Sequence, residues 1–222
     1  MINFRHYIIT PGLNDPVKLI NILFPLLKAG LPCLQIREPE ITADHLLVLL
    51  EHLNNCCINN NLSCKFVVNH YHNFVRDYNR EFEGKYPALG LHLKEESISP
   101  EEAREMLGQE ALIGISTHKY TEKEKNDDPY LSYRSVSPIF STISKDLNKA
   151  PVGVGLIKQI SEQSIVPIFA LGGITAENAN LCIQNGAYGV ATLGAVFGSR
   201  KPVESYRHFA ERASFGALQH LH

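Results

Sequence analysis

A chain of 222 residues with 44% hydrophobic and 20% charged residues suits a soluble globular protein with a sizeable core. Its formal net charge of -2 gives no long-range pull toward nucleic acid or an anionic membrane, so any anion it binds is held by local groups, which points to a small ligand. The first apolar stretch meets Pro11-Gly12 too early for a signal-peptide core, and no run reaches the length of a membrane span, so a cytoplasmic protein is expected.

Short apolar segments alternate with segments of helical spacing from one end to the other. "HYIIT" (6 to 10) reads as a strand and "PVKLINILFPLLKAG" as a helix closed by glycine. "PCLQIRE" (32 to 38) is followed by "TADHLLVLLEHLNN", opened by a threonine cap. "KFVVNH" (65 to 70) leads into "RDYNREFEGKYP" (76 to 87), polar and aromatic with no clear period, which reads as a surface insertion. "ALGLHL" (88 to 93) precedes "SPEEAREML", where Ser99 stands before Pro100 as a cap before a first-turn proline. Strands at "ALIGIST" (111 to 117) and "LSYRSVS" (131 to 137) come next, then a long loop over 138 to 153. "GVGLIKQISEQ", the strand "VPIFALG" (166 to 172), "TAENANLCIQNG", the strand "YGVATLG" (188 to 194) and "PVESYRHFAERA" complete the series. Eight strands joined by crossover helices close most economically into a single TIM (β/α)8 barrel over residues 1 to 222; an open doubly wound sheet is the alternative.

Cys33, Cys56, Cys57, Cys64 and Cys182 have no ligand spacing and read as buried thiols, and the histidines are scattered apart from His70 and His72. No metal cluster is expected. In a TIM barrel, chemistry gathers at the C-terminal ends of the strands, and a phosphate commonly sits between the seventh and eighth loops. Gly172-Gly173 and Leu193-Gly194 end those strands, and the N-H groups of the following turns suit an anion, although glycines there also serve a tight turn. Thr142, Ser144 and Lys145 in "FSTISK" supply hydroxyls and a cation that could fold over a phosphate. Gln35 and Arg37 share one face of the second strand. An arginine in the barrel interior needs an anionic partner, either a ligand or a neighbour such as Glu38; it could instead lie outward under a helix. Asn69 and Ser116 end the third and fifth strands, and His118 beside Ser116 is a candidate proton carrier near neutral pH.

These residues, in this order, resemble the thiamine phosphate synthase and thiazole tautomerase superfamily of TIM barrels. The resemblance runs through "QIRE", "VVN", "LHL", "IGISTH", "SPIFSTISK", "PIFALGGITAEN" and "GAYGVATLGAVF" and covers nearly the whole chain. It implies that the two glycine turns hold the phosphate of a hydroxyethylthiazole phosphate, that Thr142, Ser144 and Lys145 meet its oxygens, and that homo-oligomers form. A synthase joins a pyrimidine diphosphate to the thiazole phosphate and calls for magnesium. A tautomerase relocates one proton to aromatise a thiazole carboxylate phosphate and needs neither metal nor other cofactor.

The chain departs from the synthase pattern at three positions. Pro39 stands where that pattern has a lysine, His70 where it has an aspartate, and Ser97 where it has another. Glu95, Glu96 and Lys94 are the nearby residues that could substitute. The tautomerase is therefore the first expectation, with Gln35 and Arg37 on the substrate carboxylate, Asn69 and Ser116 lining the pocket, and His118 moving the proton. The synthase is the second. A non-catalytic sensor of a thiamine precursor is the third, and the presence of His118 counts against it.

Overall fold

The computed structural model describes residues 2 to 94, 96 to 141 and 150 to 218, with side chains to residue 214. Among them are eight strands, His6–Ile9 (β1), Cys33–Ile36 (β2), Lys65–Asn69 (β3), Gly90–Leu93 (β4), Ile113–Thr117 (β5), Tyr133–Val136 (β6), Ile168–Ala170 (β7) and Gly189–Thr192 (β8). Each pairs in parallel with the next, and β8 pairs with β1, so the sheet closes into a TIM barrel and the open-sheet alternative falls. The crossovers carry α1 (Pro16–Lys28), α2 (Ala43–Asn59), α3 (His72–Glu81), α4 (Pro100–Leu107), α5 (Glu122–Asp127), α6 (Gly153–Ser161), α7 (Ala179–Gln184), α8 (Gly194–Phe197) and α9 (Pro202–Leu218). Among the described residues no helix is long and apolar enough to cross a membrane.

The helices begin where the chain supplies an acceptor for otherwise unpaired N-H groups. Asp15 takes the Lys18 N-H ahead of Pro16, Thr42 takes that of His45, and Ser99 with Glu102 forms a reciprocal capping box. Two segments differ from their sequence reading, and a third, between β5 and β6, has none. The stretch over 76 to 87 is half helix: α3 runs to Glu81, and its period is carried by the aromatic series Phe74, Tyr78, Phe82 and Tyr86, whose successive rings lie 4.6 to 5.9 Å apart. The segment between β5 and β6 contains α5, which buries none of its residues and so shows no apolar stripe to read. The helix expected over 175 to 186 shortens to α7 because the Asn178 side chain folds back, accepting from Thr175 N and donating to Gly173 O.

Alternation along the strands sorts the apolar residues onto two sides. Leu34, Ile36, Phe66, Val68, Leu91 and Ile113 pack outward under the helices, while Tyr7, Ile9, Cys33, Val67, Tyr133, Phe169 and Ala191 fill the interior. Three rings dominate that filling, with centroids 5.3 Å (Tyr7 and Phe169), 5.5 Å (Tyr133 and Phe169) and 6.1 Å (Tyr7 and Tyr133) apart. Two glycines make room for them. A Cβ at Gly114 would lie 2.1 Å from Cζ of Tyr133, and one at Gly189 would lie 2.5 Å from Cε1 of Phe169. At the N-terminal end, the Arg5 guanidinium stacks 3.9 Å from the Tyr188 ring centre and donates to Tyr188 O, stapling the start of β1 to β8.

Outside the barrel, His6 is buried between β1 and α9, its Nε2 3.1 Å from the Tyr206 hydroxyl and its ring against Phe209. Burial pushes its pKa down to about 4.

Two predictions follow from this packing. Gly114→Ala should cost more than the about 1 to 3 kcal/mol of ordinary overpacking, because the neighbour is a fully buried ring. Gly155→Ala, in α6 with nothing within 4 Å, should be neutral or stabilising; urea denaturation compares the two. The second concerns acid. His6 titrates near 6.5 when unfolded and near 4 when folded, so its contribution is complete above pH 6.5 and is lost as pH falls through 4. That loss amounts to about 3 kcal/mol between pH 7 and pH 4, and His6→Phe should flatten the stability profile across that range by a comparable amount. An unchanged slope in urea titrations would show that His6 is not the group responsible.

Candidate active site

The upper interior of the barrel is divided by strand. Strands β2 to β6 turn Gln35, Asn69, His92, Ser116 and Ser135 inward, whereas the segments running on from β7 and β8 contribute the apolar Leu171 and Leu193. Gln35 is 2% exposed and its Nε2 makes no hydrogen bond among the described residues. His92 joins this half-ring together, with Nδ1 3.0 Å from the Tyr133 hydroxyl and Nε2 3.0 Å from Ser116 Oγ. Ser135 Oγ lies 2.7 Å from the Tyr7 hydroxyl.

The turn after β7 is polarised. Its carbonyls at Leu171, Gly172, Gly173 and Ile174 each accept a bond, from Ile139 N, Phe140 N, Asn178 Nδ2 and Thr192 Oγ1. The N-H groups of Gly172, Gly173 and Ile174 find no acceptor among the described residues. With the Gly194 and Ala195 N-H groups at the start of α8, they are donors of the kind that suits an anion.

The reason for glycine here is more than a ligand's approach. Gly172 and Gly173 have φ of +91° and +67°, and a Cβ would lie 2.6 Å from Pro138 Cα at the first and 2.6 Å from Ser141 O at the second. The backbone after β6 packs directly on this turn. Gly194, by contrast, has open space where its Cβ would be. Thr142, Ser144 and Lys145 lie outside the described residues.

His118 follows β5 and is half-buried. Its Nδ1 lies 2.5 Å from the Ser137 carbonyl, which can only accept, so Nδ1 carries a proton and Nε2 is the basic nitrogen of the neutral ring. The strand end beneath it is braced by Arg134, fully buried on the outer face of β6, which donates to Asp128 Oδ1 at 2.5 Å, to Thr117 Oγ1 at 3.2 Å and to Glu124 O. Asp128 Oδ2 also accepts from Tyr120, Ser164 and the Ile165 N-H, which leaves the buried pair well satisfied.

Arg37 lies one residue beyond β2 and is exposed, not tucked under a helix. Glu38 is not its partner. That buried carboxylate accepts from Gly12 N at 3.0 Å and Asn14 N at 2.5 Å, tying the first loop to the second, and among the described residues Arg37 makes no salt bridge. At the two positions where the synthase pattern has aspartates, His70 Nδ1 lies 3.2 Å from Ser97 Oγ, which also accepts from Lys94 N. Burial, and then the charges of Lys94 and His72, lower the His70 pKa, with Glu96 acting the other way. An imidazole and a hydroxyl occupied with each other do not fit magnesium, which takes carboxylate and water oxygens. Glu96 is exposed, Lys94 is half-buried, and Glu95 lies outside the described residues.

His92, Tyr133 and Ser135 are the residues that the sequence reading left without a role. Their signal was present, since alternation puts His92 opposite Leu91 and Leu93, and Tyr133 with Ser135 opposite Arg134 and Val136.

A closed parallel barrel with its buried polar groups at the C-terminal strand ends belongs to the class of TIM barrels that place chemistry on that face. A family model described as thiamine monophosphate synthase matches residues 6 to 196, and the chain belongs to that family. Among relatives, thiamine-phosphate synthase from Bacillus velezensis is 26% identical over 92% of this chain and 88% of its own length. A putative thiamine-phosphate synthase 2 from Aquifex aeolicus is 29% identical over 85% and 95%. The thiamine-phosphate synthase from Synechococcus is also 29% identical, but this chain spans only about half of it, 54%. Thiamine phosphate pyrophosphorylase from Pyrococcus furiosus superposes with a TM-score of 0.76 at 20% identity over 96% of both chains, a likeness of fold.

A direct test of anion binding at these turns uses the open position. Gly194→Val should leave the fold intact and weaken inorganic phosphate binding at least tenfold, whereas Gly173→Ala should lower stability as well, by displacing the loop after β6. Calorimetry on the folded variants measures both, and undiminished phosphate affinity in Gly194→Val would place the anion elsewhere.

Proposed function

We propose that this chain acts on a thiazole phosphate of thiamine synthesis and that its reaction is a proton transfer, the tautomerisation of a thiazole carboxylate phosphate. The observation that carries the reading is the His70 to Ser97 contact at 3.2 Å, where a pyrophosphate-releasing synthase would want magnesium carboxylates. The turns after β7 and β8 receive the phosphate, with Thr142, Ser144 and Lys145 meeting its oxygens. Arg37 and Gln35 hold the carboxylate, the second with a buried donor that has no hydrogen-bond partner among the described residues. Asn69 and Ser116 line the ring.

The step balances without oxidant or metal. Nε2 of His118 takes the proton from the ring carbon, the electron pair of that C-H bond enters the ring, and the exocyclic double bond gains a proton at its outer carbon from the imidazolium. The carbonyl of Ser137 holds the ring in the required tautomer and stabilises the cation that forms.

The second reading is the synthase, joining a pyrimidine diphosphate to the thiazole phosphate. What favours it is the relatives, two of which carry that name and the third that name as putative; the comparisons weigh toward it as the geometry weighs toward the tautomerase. It requires Glu95, Glu96 and Lys94 to replace the missing carboxylates and cation.

Proton NMR of the thiazole carboxylate phosphate in deuterated water follows aromatisation and label uptake at the exocyclic carbon. His118→Asn should bind the substrate and lose about 100-fold to 10,000-fold in rate. Magnesium-dependent formation of thiamine phosphate at about 1 per second or faster would establish the synthase instead. Binding with no turnover in either assay would indicate a sensor.

A further inference from the structure

The polar chain beneath Ser116 has a direction. A neutral imidazole carries one donor and one acceptor nitrogen, and both nitrogens of His92 are engaged, by Tyr133 at Nδ1 and by Ser116 at Nε2. Burial keeps the ring neutral, with its pKa pushed down to about 3. Two proton arrangements satisfy both contacts, and the hydroxyls decide between them. A phenol is far more acidic than an aliphatic hydroxyl and so is the better donor to an imidazole nitrogen. Tyr133 therefore donates to Nδ1, which leaves the proton on Nε2, donated to Ser116 Oγ.

Burial drives the Tyr133 pKa far up, which keeps the phenol protonated and able to donate. Ser116, having accepted from His92, retains its own hydroxyl hydrogen, for which no protein acceptor stands among the described residues.

We propose that His92 is a positioning residue that fixes the Ser116 hydroxyl as a donor into the barrel mouth, so that the substrate group facing Ser116 is an acceptor. An unprotonated ring nitrogen or a carboxylate oxygen fits there, and an N-H does not. The direction of the chain stands on the protein alone; the identity of the acceptor rests on the thiazole phosphate reading above.

The tautomer of His92 tests the proposal, by proton-nitrogen correlation on the full chain labelled with nitrogen-15 histidine. The signal is assigned by its loss in His92→Gln or, where that variant does not fold, by its shift in Tyr133→Phe. The proton is expected on Nε2 throughout pH 5 to pH 9, and a proton on Nδ1 overturns the proposal. Tyr133→Phe removes the donor that sets the direction, so the single tautomer should give way to a mixture. Its affinity for hydroxyethylthiazole phosphate should fall about 3- to 10-fold, with that for inorganic phosphate unchanged. A variant that keeps both the tautomer and the affinity for the thiazole phosphate also overturns it. Should the wild-type chain bind inorganic phosphate but no thiazole phosphate, the substrate reading fails while the tautomer still decides the direction.

Discussion

The interior of an eight-stranded barrel must be filled, and in this chain three aromatic rings fill it. Tyr7, Tyr133 and Phe169 meet edge to face or tilted near the middle, and the absence of side chains at Gly114 and Gly189 is what lets two of the rings in. Because two of the rings are tyrosines, the filling has polar ends. Each hydroxyl then needs a partner in the layer above, and Ser135 and His92 provide them. The polar half-ring at the mouth thus grows out of the way the middle is packed.

Above that layer the loops are fastened to one another in sequence round the rim. Glu38 ties the first to the second, the Tyr71 hydroxyl of the third donates to the Ile41 carbonyl of the second, and the His70 and Ser97 pair ties the third to the fourth. His118 reaches the Ser137 carbonyl, Phe140 N reaches Gly172 O, and Thr192 reaches Ile174 O. A mouth so laced holds its donors in place before a ligand arrives, which reduces the ordering cost of binding.

Much of this was legible in the sequence. Regular alternation of strand and helix gave the barrel, and the period of two along "LQIRE" separated Gln35 from Leu34 and Ile36 as the structure does. Gly172-Gly173 announced a close approach but not by what: contact with the backbone after β6 joins residues far enough apart in sequence that no local pattern records it. Arg134 was illegible for a similar reason. A buried guanidinium on the helix-facing side of a strand depends on Asp128, whose role emerges only once α5 and the short 3-10 turn at Asp128–Tyr130 fold the carboxylate back. Glu38, read as a candidate partner of Arg37, is claimed by two backbone N-H groups whose loop conformation propensity does not foretell.

The pairing of β1 with β8 also sets a timetable. Residues His6 to Ile8 find their partners at Val190 to Thr192, and Arg5 finds its own at Tyr188. During synthesis at about 5 to 20 residues per second, the first strand waits roughly ten seconds or more with one edge unpaired, presenting apolar residues and unmatched backbone groups. The seam between first and last strand is the last part of the barrel able to form and, on a nascent chain, the part most in need of shelter.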